Sequence, residues 1–426
     1  MRPRAGGVPA DLGAPALPCS KSHAQRALIL AGLGVGAAVL EGVDEGDDVG
    51  VTAAAVEALG ARIERSGATW RVAAAAAFRP GRVDCGDSAT CLRMLAMAAG
   101  ILGAPVELTG SERLRVRPSE ELRAALAALG GSVANGWPLR VGGAAPLTSG
   151  ASLRLAARTT SQVVSGAMLG LGCAVRRGAA HAGAVAIDAP FRAPSGYVRV
   201  TARLLEAFGV DVAGVPPGAV APHERLAIRV GPARGHDPVA CRVPRDASAA
   251  TFVGAFAVLH GSLAPAWPTD DGHPDWGALA ELEALGATPP GAPFAARGLA
   301  ERPDSFPALA AVAAARPGRS ELRGAPALRH KESDRVAAMA AGLRALGVGC
   351  EEHDDGLVVH GRDLRAHAPA APIAVPAPRD HRVVMALALL GTVVPGGVAV
   401  PHADAPSKSW PGFYGWLARV ARVELR

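Results

Sequence analysis

Lysine is almost absent from this chain. Of its 44 lysines and arginines only three are Lys, at Lys21, Lys331 and Lys408. So skewed a composition puts Arg wherever charge alone is needed. The three lysines therefore mark places that need a compact ammonium, one that can approach a single atom and exchange a proton. Aromatics make up only 4% of the chain and long basic runs are missing. That excludes a stacking platform or basic tail for nucleic acid, although the formal net charge is +6 and the pI about 9.3. No CxxC pair occurs among Cys19, Cys85, Cys91, Cys173, Cys241 and Cys350. A disulfide framework is excluded and a thiolate metal site is weakly supported; free thiols in a reducing cytoplasm are expected. No apolar run is long enough to span a bilayer, and Met1-Arg2-Pro3-Arg4 leads into Pro and Gly instead of an apolar stretch, so neither a membrane anchor nor a signal peptide is expected. What remains is a chain of 426 residues, half of them apolar. It is long enough for two domains, and its excess charge suits small anionic substrates.

Each lysine sits in a dense polar cluster: Ser20-Lys21-Ser22, His330-Lys331-Glu332 and Ser407-Lys408-Ser409. We expect the three to meet in one anion-binding active site. The first leads through Arg26 into the apolar run Ala27-Leu28-Ile29-Leu30, with Ser20 or Ser22 as the helix cap. A cation at a helix start opposes the macrodipole, unless an anion binds to the backbone N–H groups there. Gly86-Asp87-Ser88-Ala89-Thr90-Cys91-Leu92-Arg93 reads as a small-residue turn entering a helix, a ligand approach or a plain cap. Arg113, Arg115 and Arg117 alternate before Pro118, which in an extended chain puts all three on one side. Arg158-Thr159-Thr160-Ser161-Gln162 offers hydroxyls and an amide before a helix. Asp246 and Asp304 are both natural N-caps of buried helices, a plain cap being the favoured reading for Asp246 and the weaker one for Asp304. Arg379-Asp380-His381-Arg382 opens another buried helix. Lys21, Arg26, Arg117, Lys331, Arg335, Arg382 and Lys408 together supply cations enough for two phosphorylated substrates. A close pair near a surface contributes roughly 4 kcal/mol at 4 Å before desolvation.

A phrase of the form Leu/Val-x-Ala-Leu/Phe-Gly organises the chain, closing helical stretches at Gly60, Gly130, Gly209, Gly286 and Gly347. Each Gly is expected to form a left-handed helix cap. The spacing is too long for a solenoid and suits a βαβ-type unit used about six times. Short Val/Leu-rich runs read as strands: 38–41, 105–108, 184–187, 226–230, 356–359 and 397–400. The helices at 249–259, 308–315 and 383–390 have no polar face and should be buried on all sides. The fold expected is α/β, with helices packed inside the sheets.

The order and wording of these clusters resemble the 5-enolpyruvylshikimate-3-phosphate synthase family, enolpyruvyl transferases of the shikimate pathway. The match runs from Ser20-Lys21-Ser22 through Arg26, the Gly86–Arg93 turn, Arg117-Pro118, Thr160-Ser161-Gln162, Asp246-Ala247-Ser248, Asp304, Lys331-Glu332-Ser333-Asp334-Arg335 and Asp380-His381-Arg382 to Lys408-Ser409-Trp410-Pro411. The related UDP-N-acetylglucosamine enolpyruvyl transferases use a different opening and a catalytic Cys loop that we do not find here. The resemblance implies an inside-out α/β barrel fold of two similar domains, each of three βαβαββ units. Domain I would be 1-19 plus 244-426, and domain II 20-243. It implies addition and elimination between phosphoenolpyruvate and the 5-hydroxyl of shikimate 3-phosphate, in a cytoplasmic monomer with no cofactor, metal, membrane or nucleic-acid partner. The implied donor ligands are Lys21, Ala89, Arg117, Gln162, Arg335, Arg382 and Lys408. The implied acceptor ligands are Lys21, Ser22, Arg26, Thr160, Ser161, Gln162, Ser195, Tyr197, Asp304 and Lys331. Catalysis would fall to Lys21, Asp304, Lys331 and Glu332.

This chain departs from the family pattern in places. Cys19 stands for Gly, Asp87-Ser88-Ala89 for Asn-Ala-Gly, Ala327 for Asn, and Pro194-Ser195-Gly196-Tyr197 for Ser-x-Pro-Tyr. Pro194 and Ala327 keep open an enolpyruvyl transferase with another acceptor. A non-catalytic anion-binding protein is disfavoured by Lys21, Asp304 and Glu332, since binding alone needs no proton-transfer groups. Ala89 adds a methyl where the family's inhibitor glyphosate packs, which implies reduced sensitivity.

Overall fold

Alternation of apolar and polar residues builds short strands, and the fold repeats one way of joining them. The computed structural model describes residues 15–129, 132–133, 136–142, 152–156, 160–178, 183–188, 194–218, 226–234, 238–269, 271–366, 369 and 371–425. Met1–Arg4, Gly130, Arg158 and Thr159 lie outside them. Contacts divide the chain into two units. One joins the described residues up to Pro18 to those from Asp246 onward; the other runs Cys19–Arg245.

The Cys19–Arg245 unit holds three four-stranded sheets of one design. Two neighbouring strands run parallel, and the second pairs antiparallel with the return strand of a hairpin. Gly81–Asp84 lies parallel to Val106–Thr109, which meets Leu139–Gly142 antiparallel. Ser152–Ala156, Gly183–Asp188 and the Val210–Ala213/Leu226–Ala233 hairpin repeat the design. In the remaining sheet Ala37–Glu41 pairs antiparallel with Thr69–Ala73 of a hairpin, and its parallel neighbour is Val239–Arg242, supplied by the returning chain. The other unit carries the same design once, in Phe294–Ala295, Gly318–Leu322, Gly349–His353 and Gly356–Gly361, with a two-stranded parallel pair, Ile373–Ala374 and Val398–Ala399. Parallel neighbours cannot be joined by a tight turn, so a helix fills the crossover wherever the two strands follow one another directly: Ala89–Ile101, Gln162–Arg176, Phe306–Ala315 and His381–Leu390.

Six helices are buried nearly all round: Lys21–Leu33, Ala89–Ile101 and Gln162–Arg176 in one unit, Ala247–His260, Phe306–Ala315 and His381–Leu390 in the other. All ten residues of His381–Leu390 are buried, as expected of a helix without a polar face. The helices that alternate with them are amphipathic. Phe413–Val420, for example, buries Phe413, Trp416, Leu417 and Val420, the face of a 3.6-residue period. Two buried helices approach very closely at glycine: a Cβ on Gly166 would stand 2.8 Å from Met94 Cα, and one on Gly170 2.9 Å from Ala98 Cα.

Gly60, Gly209 and Gly347 take positive φ (112°, 75° and 74°) after their helices, the left-handed ends that the recurring phrase predicts. Gly286 does not. It lies inside the Gly277–Ala287 helix, where a Cβ would meet Val258 Cγ1 at 2.5 Å; here glycine serves close packing instead of a turn. Among the described residues, no helix is long and apolar enough to cross a membrane.

Candidate active site

Several polar clusters of the sequence lie at helix N-termini, where backbone N–H groups lack intrahelical partners, whereas Lys331 and Lys408 sit at the ends of the short 3-10 helices Pro326–His330 and Ala405–Lys408. In the Cys19–Arg245 unit, Ser20 caps the Lys21–Leu33 helix through His23 N. Lys21 is its first residue, and its Nζ lies 3.1 Å from Asp48 Oδ2, in the first turn of the Asp47–Ala58 helix. Gln25 Nε2 donates to Thr52 Oγ1 (2.8 Å) and Ser88 Oγ (3.0 Å), tying this end to the start of the next buried helix. Ser88 caps that helix and Ala89 is its first residue.

Arg93, on the same helix, donates to Gln162 Oε1 at 2.8 Å and to Pro118 O at 2.7 Å. Gln162 Nε2 reaches Thr90 Oγ1 at 2.9 Å, and Thr160 Oγ1 accepts from Gln162 N at 3.2 Å. Arg26 is buried and spends its donors on neutral groups, Thr201 Oγ1 (2.8 Å), Ser22 O (2.7 Å) and Ser165 Oγ (3.3 Å). Burial pulls Arg26 down to about 10, eased by the Tyr197 hydroxyl. Burial, then Arg117, pulls Arg93 down to about 9. Neither guanidinium has a carboxylate at ion-pair distance among the described residues. Two buried cations with no carboxylate paired to them favour an arriving anion. A cavity of about 250 Å³ opens beside Arg93, lined by Ala89, Arg117, Arg123 and Trp137 among others.

The unit from Asp246 onward is arranged in the opposite way, with its cations already gripped by carboxylates. Asp304 Oδ1 lies 2.7 Å from Arg335 Nη1 and 3.3 Å from Lys331 Nζ, and its Oδ2 lies 3.2 Å from Arg382 Nη2. Arg335 also donates from Nε to Asp380 Oδ2 at 2.9 Å. Burial works to lower the Arg335 pKa, but Asp380, Asp304 and Glu332 raise it by more. Burial likewise works to raise Asp380, but Arg335 leaves it below its ordinary value. Glu332 is held by His381 Nδ1 at 2.8 Å and by Lys408 Nζ at 3.4 Å. Glu332, Asp380 and His381 could offer a metal three donor atoms within 4.8 Å of one another. Arg335 and Lys408, however, already hold the two carboxylates.

Several sequence expectations change. Asp304 is not a helix cap: Ser305 takes the cap position of Phe306–Ala315, leaving the Asp304 carboxylate to three cations. Asp246 does cap its helix, accepting from Ala249 N at 2.7 Å. Arg113, Arg115 and Arg117 do not share one face of an extended segment. Glu112–Arg115 is a helical turn, in which Arg113 pairs with Asp87 and Arg115 with Glu112, while Arg117 lines the cavity. Ser195 Oγ is engaged by Arg199 Nη1 (3.0 Å) and Gly218 O (3.3 Å), with Tyr197 nearby at the start of the Gly196–Ala207 helix. Asp48, Arg93, Asp380 and His381 join the clusters without having been assigned a role from sequence.

Fixed cations and hydrogen-bonded carboxylates are the groups with which an enzyme grips small anions and moves protons. The chain belongs to the EPSP synthase (3-phosphoshikimate 1-carboxyvinyltransferase) family, whose pattern matches residues 13–264 and 280–417. It is 33% identical over 427 residues to the 3-phosphoshikimate 1-carboxyvinyltransferase of Halobacterium salinarum, covering 94% of each chain. Its fold is similar to the EPSP synthase of Acinetobacter baumannii, with a TM-score of 0.72 at 22% identity over 99% of this chain and 97% of that one. It is also similar to the enolpyruvyl transferase NikO of Streptomyces tendae, with a TM-score of 0.67 at 18% identity over 98% and 95%.

Proposed function

We propose that the protein transfers the enolpyruvyl group of phosphoenolpyruvate to the 5-hydroxyl of shikimate 3-phosphate and releases phosphate, acting as a cytoplasmic monomer whose two units are its two domains. Family membership supports the reaction. The observation that carries the assignment of residues is that the polar clusters retain every cation and carboxylate the chemistry needs.

Lys21, Ala89, Arg117, Gln162, Arg335, Arg382 and Lys408 serve the donor. Ser22, Arg26, Thr160, Ser161, Ser195, Tyr197, Asp304 and Lys331 serve the acceptor, with Lys21 and Gln162 shared. In the addition step the acceptor oxygen bonds to the central carbon of the enol, its proton passes to Asp304 beside Lys331, and the terminal enol carbon takes a proton from Glu332 or Lys21. In the elimination step that carbon returns a proton, the double bond re-forms, and the C–O bond to phosphate breaks. The His381 and Lys408 contacts fix the orientation of Glu332, and the cations stabilise the tetrahedral intermediate and leaving phosphate. Clamping both reactants removes the entropic cost of their encounter.

The test is phosphate release from phosphoenolpyruvate with and without shikimate 3-phosphate. Release that needs both and is lost in Lys21→Ala is the expected result. No release, with phosphoenolpyruvate still bound, would move the assignment to a different acceptor, the reading that Pro194 and Ala327 suggest.

A further inference from the structure

We propose that Asp304 doubles as an internal counter-anion: in the free protein its carboxylate occupies Arg335 and Arg382, and an anionic group of the donor displaces it, leaving Asp304 to accept the acceptor's proton. This rests on the reading that these two arginines hold phosphoenolpyruvate.

The geometry has three parts. Asp304 spans both guanidiniums, with Oδ1 on Arg335 at 2.7 Å and Oδ2 on Arg382 at 3.2 Å. That two-oxygen bridge is the kind of contact a substrate carboxylate makes with arginine. Second, Arg335 keeps a partner if Asp304 lets go, because Asp380 holds its Nε at 2.9 Å and its Nη2 at 3.4 Å. Third, Arg382 has spare capacity: it is 2% exposed, yet its Nε has no hydrogen-bond partner. A buried guanidinium with an idle donor is poised for one more anion.

A carboxylate shared among Lys331, Arg335 and Arg382 has both oxygens engaged by cations. A donor anion on the two arginines removes two of those contacts and adds a like charge nearby. Together these changes free an Asp304 oxygen for the acceptor hydroxyl, so the base is available only once the donor is in place. The hydroxyl proton then moves to an Asp304 oxygen as the acceptor oxygen bonds to carbon.

The experiment measures phosphoenolpyruvate binding by titration calorimetry without acceptor. Asp304→Asn should bind it about tenfold more tightly than the unaltered protein, because the competing charge is gone. Asp304→Glu, which keeps the charge, should stay close to the unaltered protein. Asp355→Asn removes the same charge from the same unit, at a carboxylate paired with Arg323, and should also leave the affinity unchanged. Unchanged or weaker binding in Asp304→Asn, or equal tightening in Asp355→Asn, would overturn the proposal. If Asp304→Asn melts below the assay temperature, Asp304→Ser carries the same test. The two readings fail separately. Phosphate release by the unaltered protein with no gain in Asp304→Asn sinks only the counter-anion, whereas no release in the presence of both substrates sinks the functional reading first.

Discussion

A methyl group at one helix start has a measurable consequence. Ala89 is 3% exposed and lines the cavity shared with Arg93 and Arg117. Its Cβ takes room that a glycine would leave to an inhibitor there. We expect no micromolar glyphosate inhibition competitive with phosphoenolpyruvate, and Ala89→Gly should increase sensitivity. An Ala89→Gly protein as insensitive as its parent would remove the methyl from the explanation. A second residue sets a pH dependence. His260 packs on Phe256, with ring centroids 4.4 Å apart, and its Nε2 is 2.8 Å from Thr392 Oγ1. Burial, then Arg365, holds its pKa down to about 4 from 6.5. Between those values the unfolded chain binds the extra proton and the folded one does not, so stability is full above 6.5 and declines toward 4. Melting temperatures across that range should fall less steeply in His260→Gln. At this scale the sequence was legible where chemistry is local: scarce lysines in dense polar clusters singled out Lys21, Lys331 and Lys408, each of which lies within ion-pair distance of a carboxylate. It was blind to Asp48, which as an acid in a first helical turn looks ordinary. Asp304 was open to two readings, helix cap or functional acid, for a related reason. An Asp before a helix is a cap unless distant cations claim it, and Lys331 and Arg382 lie far along the chain.

Among the elements, two glycines allow the Ala89–Ile101 and Gln162–Arg176 helices to touch. Alanine is the better helix former by about 1 kcal/mol, yet a Cβ at Gly166 would press on Met94 Cα at 2.8 Å and Met97 Cβ at 2.9 Å. Backbone cannot yield as a side-chain end can, and overpacking costs about 1–3 kcal/mol. Gly166→Ala should therefore lower the melting temperature by several degrees. It should also weaken donor binding, because the same contact brings Gln162 to Thr90 and Arg93. Gly50, in the Asp47–Ala58 helix, has nothing within 4 Å of a built Cβ, so Gly50→Ala should stabilise by up to about 1 kcal/mol. Calorimetric scans of the two variants should move in opposite directions; parallel shifts would contradict the packing argument. Element types were legible because apolar helices and alternating strands carry their periods in the sequence. The identity of Gly286 was not: a helix-capping glycine and a close-packing glycine look alike until Val258 is seen against it.

For the whole molecule the governing quantity is charge. The chain carries a formal +6, and both proposed substrates are anions. A field of that sign raises their local concentration, and salt weakens it. From about 0.01 M to about 0.1 M ionic strength the screening length falls from about 30 Å to about 10 Å. Over that range KM for both substrates should rise severalfold. kcat should change little, because the cations beside bound ligand are buried: Arg26, Arg335 and Arg382 are each 2% exposed or less. Two salts distinguish screening from occupancy. If potassium chloride and potassium phosphate raise KM equally at equal ionic strength, the long-range field is responsible. If phosphate acts more strongly and competes with phosphoenolpyruvate, the anion is entering the cation clusters themselves. That outcome would shift the weight from the net charge to the poorly compensated pair Arg26 and Arg93.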